Sequence, residues 1–126
     1  MVETKKFKIL VADDNPANLK ITEFILKPVT QCIEFAVNGQ QVLEKIAEGG
    51  KYDVILMDVK MPVMDGYEAT KRIRAIEAQN NNEKNVTIIA TTANNQPEEA
   101  EYCKSIGMND LVAKPFNLND ILAIIA

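Results

Sequence analysis

Short apolar runs alternate along the chain with segments whose apolar residues recur at helical spacing. Five such runs predict strands, because a run without polar alternation is typical of a strand that is covered on both faces. The runs lie at residues 7–12, 32–37, 54–57, 86–90 and 110–113. A helical segment follows each run, and this order predicts an α/β fold, with a five-stranded parallel sheet that is doubly wound by helices on both faces.

Capping and turn-forming residues mark the boundaries of the helical segments. Pro16 suits the first turn of the first helix, with Asp14 or Asn15 as its N-cap. Residues 97–105 predict a very polar fourth helix, and residues 79–85 predict a polar surface loop. The apolar residues at helical spacing in the first, second, third and last helices are Ala17, Ile21, Phe24, Ile25, Val42, Leu43, Ile46, Ala69, Ile73, Ile76, Leu118, Ile121, Leu122 and Ile125.

Length and composition are those of one globular domain. The chain has 126 residues, enough to bury a core as a single domain over residues 1–126. Lys and Arg total 14 and Asp and Glu total 18, and this net charge of −4 argues against direct nucleic-acid binding. No apolar run approaches the roughly 20 residues of a membrane span, so we expect no membrane contact. We expect Cys32 and Cys103 to be reduced and the protein to be cytoplasmic.

The absence of histidine from the sequence removes several classes of catalysis. It excludes Ser-His-Asp and Cys-His mechanisms, zinc ligation by histidine, and a phosphohistidine carried by this sequence. Candidate chemistry must therefore come from carboxylates, hydroxyls and amines.

Polar residues with complementary chemistry follow four of the five predicted strands. They are Asp13 and Asp14 after the first strand, Asp58 after the third, Thr91 and Thr92 at the end of the fourth, and Lys114 after the fifth. Taken alone, each has an ordinary explanation as a helix cap, a strand terminus, a β-branched strand residue or a solvated lysine. Since ligands of such folds bind at the carboxyl ends of the strands, together these residues predict one site.

The three carboxylates of this predicted site favour a divalent cation. Two carboxylates about 4 Å apart repel by roughly 4 kcal/mol at an effective dielectric constant of about 20, so three of them take up protons or bind a cation. A ligand set made of oxygen predicts Mg²⁺, with Mn²⁺ as a substitute. A cation beside a lysine and a hydroxyl suits a phosphoryl group, and the remaining carboxylate can be the nucleophile.

At these residues the sequence resembles a response-regulator receiver domain over nearly its whole length. The resemblance rests on four stretches. Together, in this order and at this spacing, they are specific to the family, whereas any one of them alone would not be. They are residues 11–15 (VADDN), 55–66 (ILMDVKMPVMDG), 88–93 (IIATTA) and 114–116 (KPF). Residues 13–18 and 107–111 are more similar to the receivers of hybrid histidine kinases, and the fold implied is the flavodoxin-like receiver fold.

The resemblance implies a phosphoryl-accepting switch. Asp58 is the acceptor, Thr92 is the hydroxyl that moves toward the phosphoryl group, and Lys114 pairs with that group. The donor is a phosphohistidine on a histidine kinase or a histidine phosphotransfer domain. Phosphorylation shifts the face formed by the fourth strand, fourth helix and fifth strand, and the domain slowly hydrolyses its own phosphoryl group.

The resemblance also implies the ligands of the metal ion. Asp14 holds Mg²⁺ directly and Asp13 holds it through water, while Asp58 and the backbone carbonyl of Lys60 complete the protein ligands. In the family the peptide bond before Pro115 is usually cis.

Two positions depart from the family pattern. Leu111 stands where the family usually has Tyr or Phe, so either the aromatic movement that reports phosphorylation is altered or Leu111 is a buried edge residue. Lys60 lies two residues after the acceptor, where its side chain either approaches the phosphoryl group or is solvated.

Two other classes of protein are alternatives. A pseudo-receiver would bind partners without phosphorylation, which Leu111 favours and the intact acceptor, acidic pair, threonine and lysine oppose. A flavodoxin-like cofactor binder would need a hydroxyl- and glycine-rich phosphate loop after the first strand. The loop at residues 13–16 is instead Asp-Asp-Asn-Pro, which repels phosphate unless a cation intervenes.

Overall fold

Strands and helices alternate along the chain as the apolar pattern predicts. The computed structural model describes residues 6–80, 85–93 and 96–125. The strands of these residues are β1 (Phe7–Ala12), β2 (Thr30–Ala36), β3 (Val54–Asp58), β4 (Thr87–Thr92) and β5 (Asp110–Ala113). The helices are α1 (Pro16–Leu26), α2 (Gly39–Ala47), α3 (Gly66–Asn80), α4 (Pro97–Ser105) and α5 (Leu118–Ile125), and a short 3₁₀ turn at Lys27–Val29 follows α1.

The strands pair in parallel in one sheet, in the order β2-β1-β3-β4-β5. This arrangement confirms the predicted doubly wound, flavodoxin-like fold. Leu10 and Ile55 face the side that α2, α3 and α4 cover, whereas Ile9 and Leu56 face the side of α1 and α5. All four side chains are at most 1% exposed, which explains the uninterrupted apolar runs. The strand order reverses beside β1, so the carboxyl ends of β1 and β3 lie at the switch point of the topology.

Two strands end later than their apolar runs predict. β3 includes Asp58, and β4 continues through Thr92 instead of ending at Ala90. Asp58 pairs with Thr91, and Thr92 pairs with Ala113, because backbone pairing does not require apolar side chains. Asp58, Thr91 and Thr92 of the predicted site therefore belong to the sheet itself, whereas Asp13, Asp14 and Lys114 lie directly after the ends of β1 and β5.

The bounds of β2 and α3 also differ from the prediction. β2 begins at Thr30 rather than Cys32, because the backbone of Thr30 pairs with Phe7. α3 extends to Asn80, since no glycine or proline interrupts it. The polar loop predicted at residues 79–85 therefore begins later, and its residues 81–84 lie outside the described residues.

The first helix is confirmed, but its apolar residues do not identify its buried face. Thr22 and Leu26 are buried, whereas Ile21 is 57% exposed and Phe24 is 79% exposed. Both sets of residues repeat at helical spacing, and the stripe with the polar threonine is the one that packs on the sheet. As a result, α1 presents large apolar side chains to solvent.

The predicted inner faces of α2, α3 and α5 are confirmed. Val42, Ala69, Ile73 and Ile121 are at most 1% exposed, and the other apolar residues predicted for these faces are partly buried. On the polar α4, the fully buried Cys103 supplies the anchor. Cys103 is a free thiol, as is the exposed Cys32 on β2. Within the described ranges, every helix is too short or too polar to cross a bilayer.

Candidate active site

Lys114 joins the carboxyl ends of two strands through its ammonium group. Its Nζ lies 3.1 Å from Asp13 Oδ2 and 3.1 Å from Asp58 Oδ2. The backbone N–H of Lys114 donates to the carbonyl of Thr92 at 2.7 Å, which places the lysine beside the end of β4. The peptide bond between Lys114 and Pro115 is cis, as the family pattern implies. The topology thus brings together all four of the strand ends that the sequence singles out.

Three carboxylates lie close enough to hold one cation. Asp13, Asp14 and Asp58 each offer an oxygen within 4.8 Å of the other two. Asp13 and Asp58 are buried, whereas Asp14 is exposed. A cluster of carboxylate oxygens that is open to solvent on one side fits a hard divalent ion such as Mg²⁺, which keeps several waters when bound.

Local hydrogen bonds orient the acidic pair after β1. Asn15 caps α1 by accepting from the backbone N–H of Ala17, so the alternative cap Asp14 is not used there. Asp13 Oδ1 accepts from the backbone N–H of Asn15 at 2.9 Å, while Asp13 Oδ2 bonds to Lys114. The helix start therefore fixes one carboxylate and leaves the other available for a cation.

Burial and charge act in opposite directions on the acceptor and the lysine. Burial raises the pKa of Asp58 above its ordinary value, despite hydrogen bonding and charge from Lys114. Burial would lower the pKa of Lys114, but hydrogen bonds and charge from Asp13 and Asp58 outweigh it and raise that pKa. Lys114 therefore remains an ammonium at neutral pH, and additional positive charge beside Asp58 would favour the carboxylate form of its side chain.

The loop after β3 packs tightly around Asp58. The backbone N–H of Lys60 donates to Asp58 Oδ1 at 3.3 Å. The Lys60 side chain is exposed, so of the two alternatives for this lysine the structure agrees with the solvated one. Gly66, the first residue of α3, lies so close that a Cβ there would overlap the carbonyl oxygen of Asp58. Beside this loop an open cleft is lined by Asp14, Val59, Lys60, Met61, Pro62, Asp65 and Tyr67.

The two threonines at the end of β4 face different surroundings. Both are 4% exposed. Thr91 lines a cavity on the side of α1. The Thr92 hydroxyl instead lies 3.4 Å from Glu99 Oε1 on α4 and donates to it. The sequence predicts Thr92 but not Glu99, because Glu99 lies in an acidic run with no feature that distinguishes it from its neighbours.

Leu111 packs at the edge of the core. It is partly buried against the cluster on the side of α2, α3 and α4. Of the two alternatives for this position, the edge residue packed against the core agrees better with the structure, although Leu111 is partly rather than fully buried.

Comparisons with known proteins agree with this geometry. The family model for the response regulator receiver domain matches residues 9–126. Hybrid signal transduction histidine kinase B of Dictyostelium discoideum is 41% identical over 122 residues, which covers 91% of this chain and 6% of that protein. A peroxide stress-activated histidine kinase of Schizosaccharomyces pombe is 37% identical, covering 95% of this chain and 7% of that protein. The chain thus corresponds to a small part of each of these relatives.

Solved structures show the same likeness. A chain in the co-crystal structure of the Saccharomyces cerevisiae phosphotransfer protein Ypd1 and the receiver domain of Ssk1 matches with a TM-score of 0.88 and 32% identity, covering 98% of this chain and 89% of that chain. The receiver domain of sensor histidine kinase PA1611 from Pseudomonas aeruginosa has magnesium in its active-site cleft. It matches with a TM-score of 0.77 and 38% identity, covering 95% of this chain and 94% of that one. With its fold, its clustered strand-end residues and these matches, the chain belongs to the response regulator receiver domain family.

Proposed function

We propose that the domain accepts a phosphoryl group on Asp58 from a phosphohistidine of a partner protein, in a two-component or phosphorelay pathway. The observation that carries the proposal is the pair of contacts from Lys114 to Asp13 and Asp58, next to three carboxylates that can share one cation. This set combines a nucleophile, positive charge and metal ligands at one strand edge, as phosphoryl transfer requires.

In the proposed reaction a carboxylate oxygen of Asp58 attacks the phosphorus atom. A P–O bond forms, the P–N bond to the donor imidazole breaks, and the imidazole nitrogen leaves with the electron pair. Lys114 is charged and its Nζ lies 3.1 Å from Asp58 Oδ2. Its ammonium group is therefore close enough to pair with the oxygens of a phosphoryl group on Asp58. Thr92 would donate its hydroxyl proton to the same group.

Asp13, Asp14 and Asp58 would hold the cation, together with the backbone carbonyl of Lys60. When bound, Mg²⁺ would neutralise the negative charge of the carboxylates and of the phosphoryl oxygens, and Mn²⁺ could replace it. Asp13 is held by Asn15 and Lys114, and its position supports this role.

The proposed partner is a histidine kinase or a histidine phosphotransfer domain. The sequence contains no histidine, so the donor imidazole comes from outside it. Ile21 and Phe24 expose apolar surface on α1, the helix that starts directly after the acidic pair. A donor that reaches Asp58 can cover these side chains, which supports α1 as part of the docking face.

Hydrolysis of the aspartyl-phosphate by water would reset the domain slowly. The Asp58 side chain is buried, which limits the access of water to it and supports slow hydrolysis. A pseudo-receiver, which binds partners without phosphorylation, remains the competing function, and the experiment below separates the two.

The test is incubation with Mg²⁺ and acetyl phosphate, followed by intact-mass measurement. We expect the wild-type protein to gain the mass of one phosphoryl group, to lose it in mild base, and to gain none when Mg²⁺ is chelated. Asp58→Asn should gain none, whereas the matched change Asp120→Asn on the exposed start of α5 should react like the wild type. Absence of an adduct on the wild type, or an undiminished adduct on Asp58→Asn, would contradict the proposal.

A further inference from the structure

One carboxylate oxygen joins three elements beside the acceptor site. Glu99 Oε1, on the first turn of α4, accepts from the Tyr67 hydroxyl at 2.7 Å and from the Thr92 hydroxyl at 3.4 Å. Tyr67 lies at the start of α3 and Thr92 ends β4. The position of α4 and the hydroxyl direction of Thr92 are thereby connected through a single side chain.

Tyr67 holds this carboxylate from an aromatic cluster between α3 and α4. Its ring meets the ring of Tyr102 edge to face, with centroids 4.8 Å apart. The Lys71 ammonium lies 5.9 Å from the centre of the Tyr102 ring, and Tyr102 is 43% exposed. Burial, and next the bond to Glu99, raises the pKa of Tyr67, so its hydroxyl remains a donor at neutral pH. The shorter of the two bonds thus fixes Glu99, and the cluster extends to the surface.

A hydroxyl group carries one proton, which limits Thr92 to one strong donor bond at a time. Donation to a phosphoryl group on Asp58 therefore requires Thr92 to release Glu99. We infer that Glu99 competes with the phosphorylated site for the Thr92 hydroxyl, that Tyr67 positions Glu99 for this competition, and that Tyr67 with Tyr102 reports the outcome at the surface between α3 and α4. The inference rests on the proposed function of Asp58 as the acceptor.

The bond between Tyr67 and Glu99 gives Tyr67 of α3 a role in reporting phosphorylation, although the family usually has its reporting aromatic residue on β5, at the position of Leu111. Leu111 has neither a ring nor a hydroxyl, and it packs against the core. Tyr67 packs against the same core cluster as Leu111 but comes from α3, and its hydroxyl donates directly to Glu99 of α4. By linkage, whatever strengthens the bond between Thr92 and Glu99 weakens binding of a phosphoryl group, and the reverse also holds.

The test compares Glu99→Ala with Glu98→Ala, a matched control that removes the same charge from the same turn of α4. Affinity for beryllofluoride, a phosphoryl analogue, is measured in the presence of Mg²⁺ by NMR titration. The bond that Thr92 donates to Glu99 is long, at 3.4 Å, so its loss in Glu99→Ala predicts binding about two- to threefold tighter. Glu98→Ala should bind like the wild type, and thermal unfolding checks that each variant is folded.

A double-mutant cycle with Thr92→Val separates this competition from a general charge effect. The tightening caused by Glu99→Ala should vanish when residue 92 has no hydroxyl to release. An equal tightening in the Thr92→Val background, or equal effects of Glu98→Ala and Glu99→Ala, would overturn the inference while the proposed function stands. Failure of the folded wild type to bind the analogue or to accept a phosphoryl group would overturn the proposed function, and the inference with it.

Tyr67→Phe supplies a second measurement, because it removes the hydroxyl and keeps the ring. It should tighten analogue binding about twofold, since Glu99 then holds Thr92 less firmly. A purely structural role for Tyr67 would lower the unfolding temperature and leave the affinity unchanged, and that result would remove Tyr67 from the mechanism.

Discussion

Lys114 bonds to Asp13 across 101 positions of sequence and contacts Asp58 at the same distance of 3.1 Å. These contacts depend on the position of Asp58, which the backbone of the loop between β3 and α3 fixes by packing closely against it. Gly66 packs against the backbone of Asp58, and Val63 has a backbone φ of 67° in the intervening loop. These two positions permit direct tests at the scale of single residues.

Gly66→Ala should disturb the acceptor. The added methyl group would overlap the Asp58 carbonyl oxygen, so the loop must shift, at a cost of about 1–3 kcal/mol in the free energy of unfolding. We expect weaker Mg²⁺ binding as well, because Asp58 moves with the loop. Urea unfolding and metal titration measure the two effects. Ala75→Gly, at an exposed position of α3, should cost about 1 kcal/mol without changing the Mg²⁺ affinity. Unchanged metal binding in Gly66→Ala would show that the close packing does not position Asp58.

Val63→Asn should stabilise the fold. A β-branched residue is strained at positive φ, whereas asparagine tolerates that region, and the Val63 side chain is 83% exposed, so little burial is lost. The expected gain is about 1 kcal/mol by urea unfolding. Val63→Ile keeps the branch at Cβ and should bring no gain. Equal stability of Val63→Asn and the wild type would show that the loop carries no strain at this residue.

At the scale of elements, the helices divide into those that hold the fold and those that present surface. Arg74 of α3 belongs to the first kind. It donates to the carbonyl oxygens of Val86 and Gly107 at 2.8 Å each and to Asn109 Oδ1 at 2.9 Å, and it pairs with Glu77. These bonds connect α3 to the segments that precede β4 and β5.

Arg74→Gln should therefore lower the free energy of unfolding by about 2–3 kcal/mol, because two backbone carbonyls and Glu77 Oε1 lose the bonds that Arg74 donates to them. Arg72→Gln is the matched control on the same helix, where the exposed pair with Glu68 contributes at most about 0.5 kcal/mol. Denaturant unfolding measures both variants. A loss of similar size in the two would contradict the structural role of Arg74.

Phe24→Ala tests α1 as a docking face. The side chain is 79% exposed, so stability should change by less than about 0.5 kcal/mol. Phosphoryl transfer from a phosphorylated histidine phosphotransfer domain should slow by about tenfold or more, the loss expected of one well-buried aromatic contact. Labelling by acetyl phosphate should be unchanged. Slower labelling by acetyl phosphate would place the defect in the acceptor site instead.

The sequence predicts the elements better than it predicts their faces and bounds. Strands buried on both faces leave uninterrupted apolar runs, so the five-stranded order is readable from them. The end of β3 is missed because Asp58 is polar yet still pairs in the sheet, whereas Thr91 and Thr92 are predicted at the end of β4 although its apolar run stops at Ala90. The buried face of α1 is missed because packing selects Thr22 and Leu26 over a more apolar stripe. Glu99 is missed because its two bonds join elements that only the fold brings together.

At the scale of the whole molecule, a cation that binds only the folded state must stabilise it. A tenfold excess of Mg²⁺ over its dissociation constant should add about 1.4 kcal/mol to the free energy of unfolding and raise the melting temperature. Asp14→Asn should remove this gain without unfolding the protein, since Asp14 is exposed and caps no helix. Glu101→Gln, an exposed change on α4, should keep the gain. A rise of equal size in Asp14→Asn would place the cation elsewhere.

The most direct test of the central claim locates the phosphoryl group chemically. Borohydride reduces an aspartyl-phosphate to homoserine, and peptide mass spectrometry reads its position. After reaction with Mg²⁺ and acetyl phosphate, we predict homoserine at position 58 and none when Mg²⁺ is chelated. Homoserine at Asp13 or Asp14 instead of Asp58, or at none of them, would contradict the assignment of Asp58 as the acceptor.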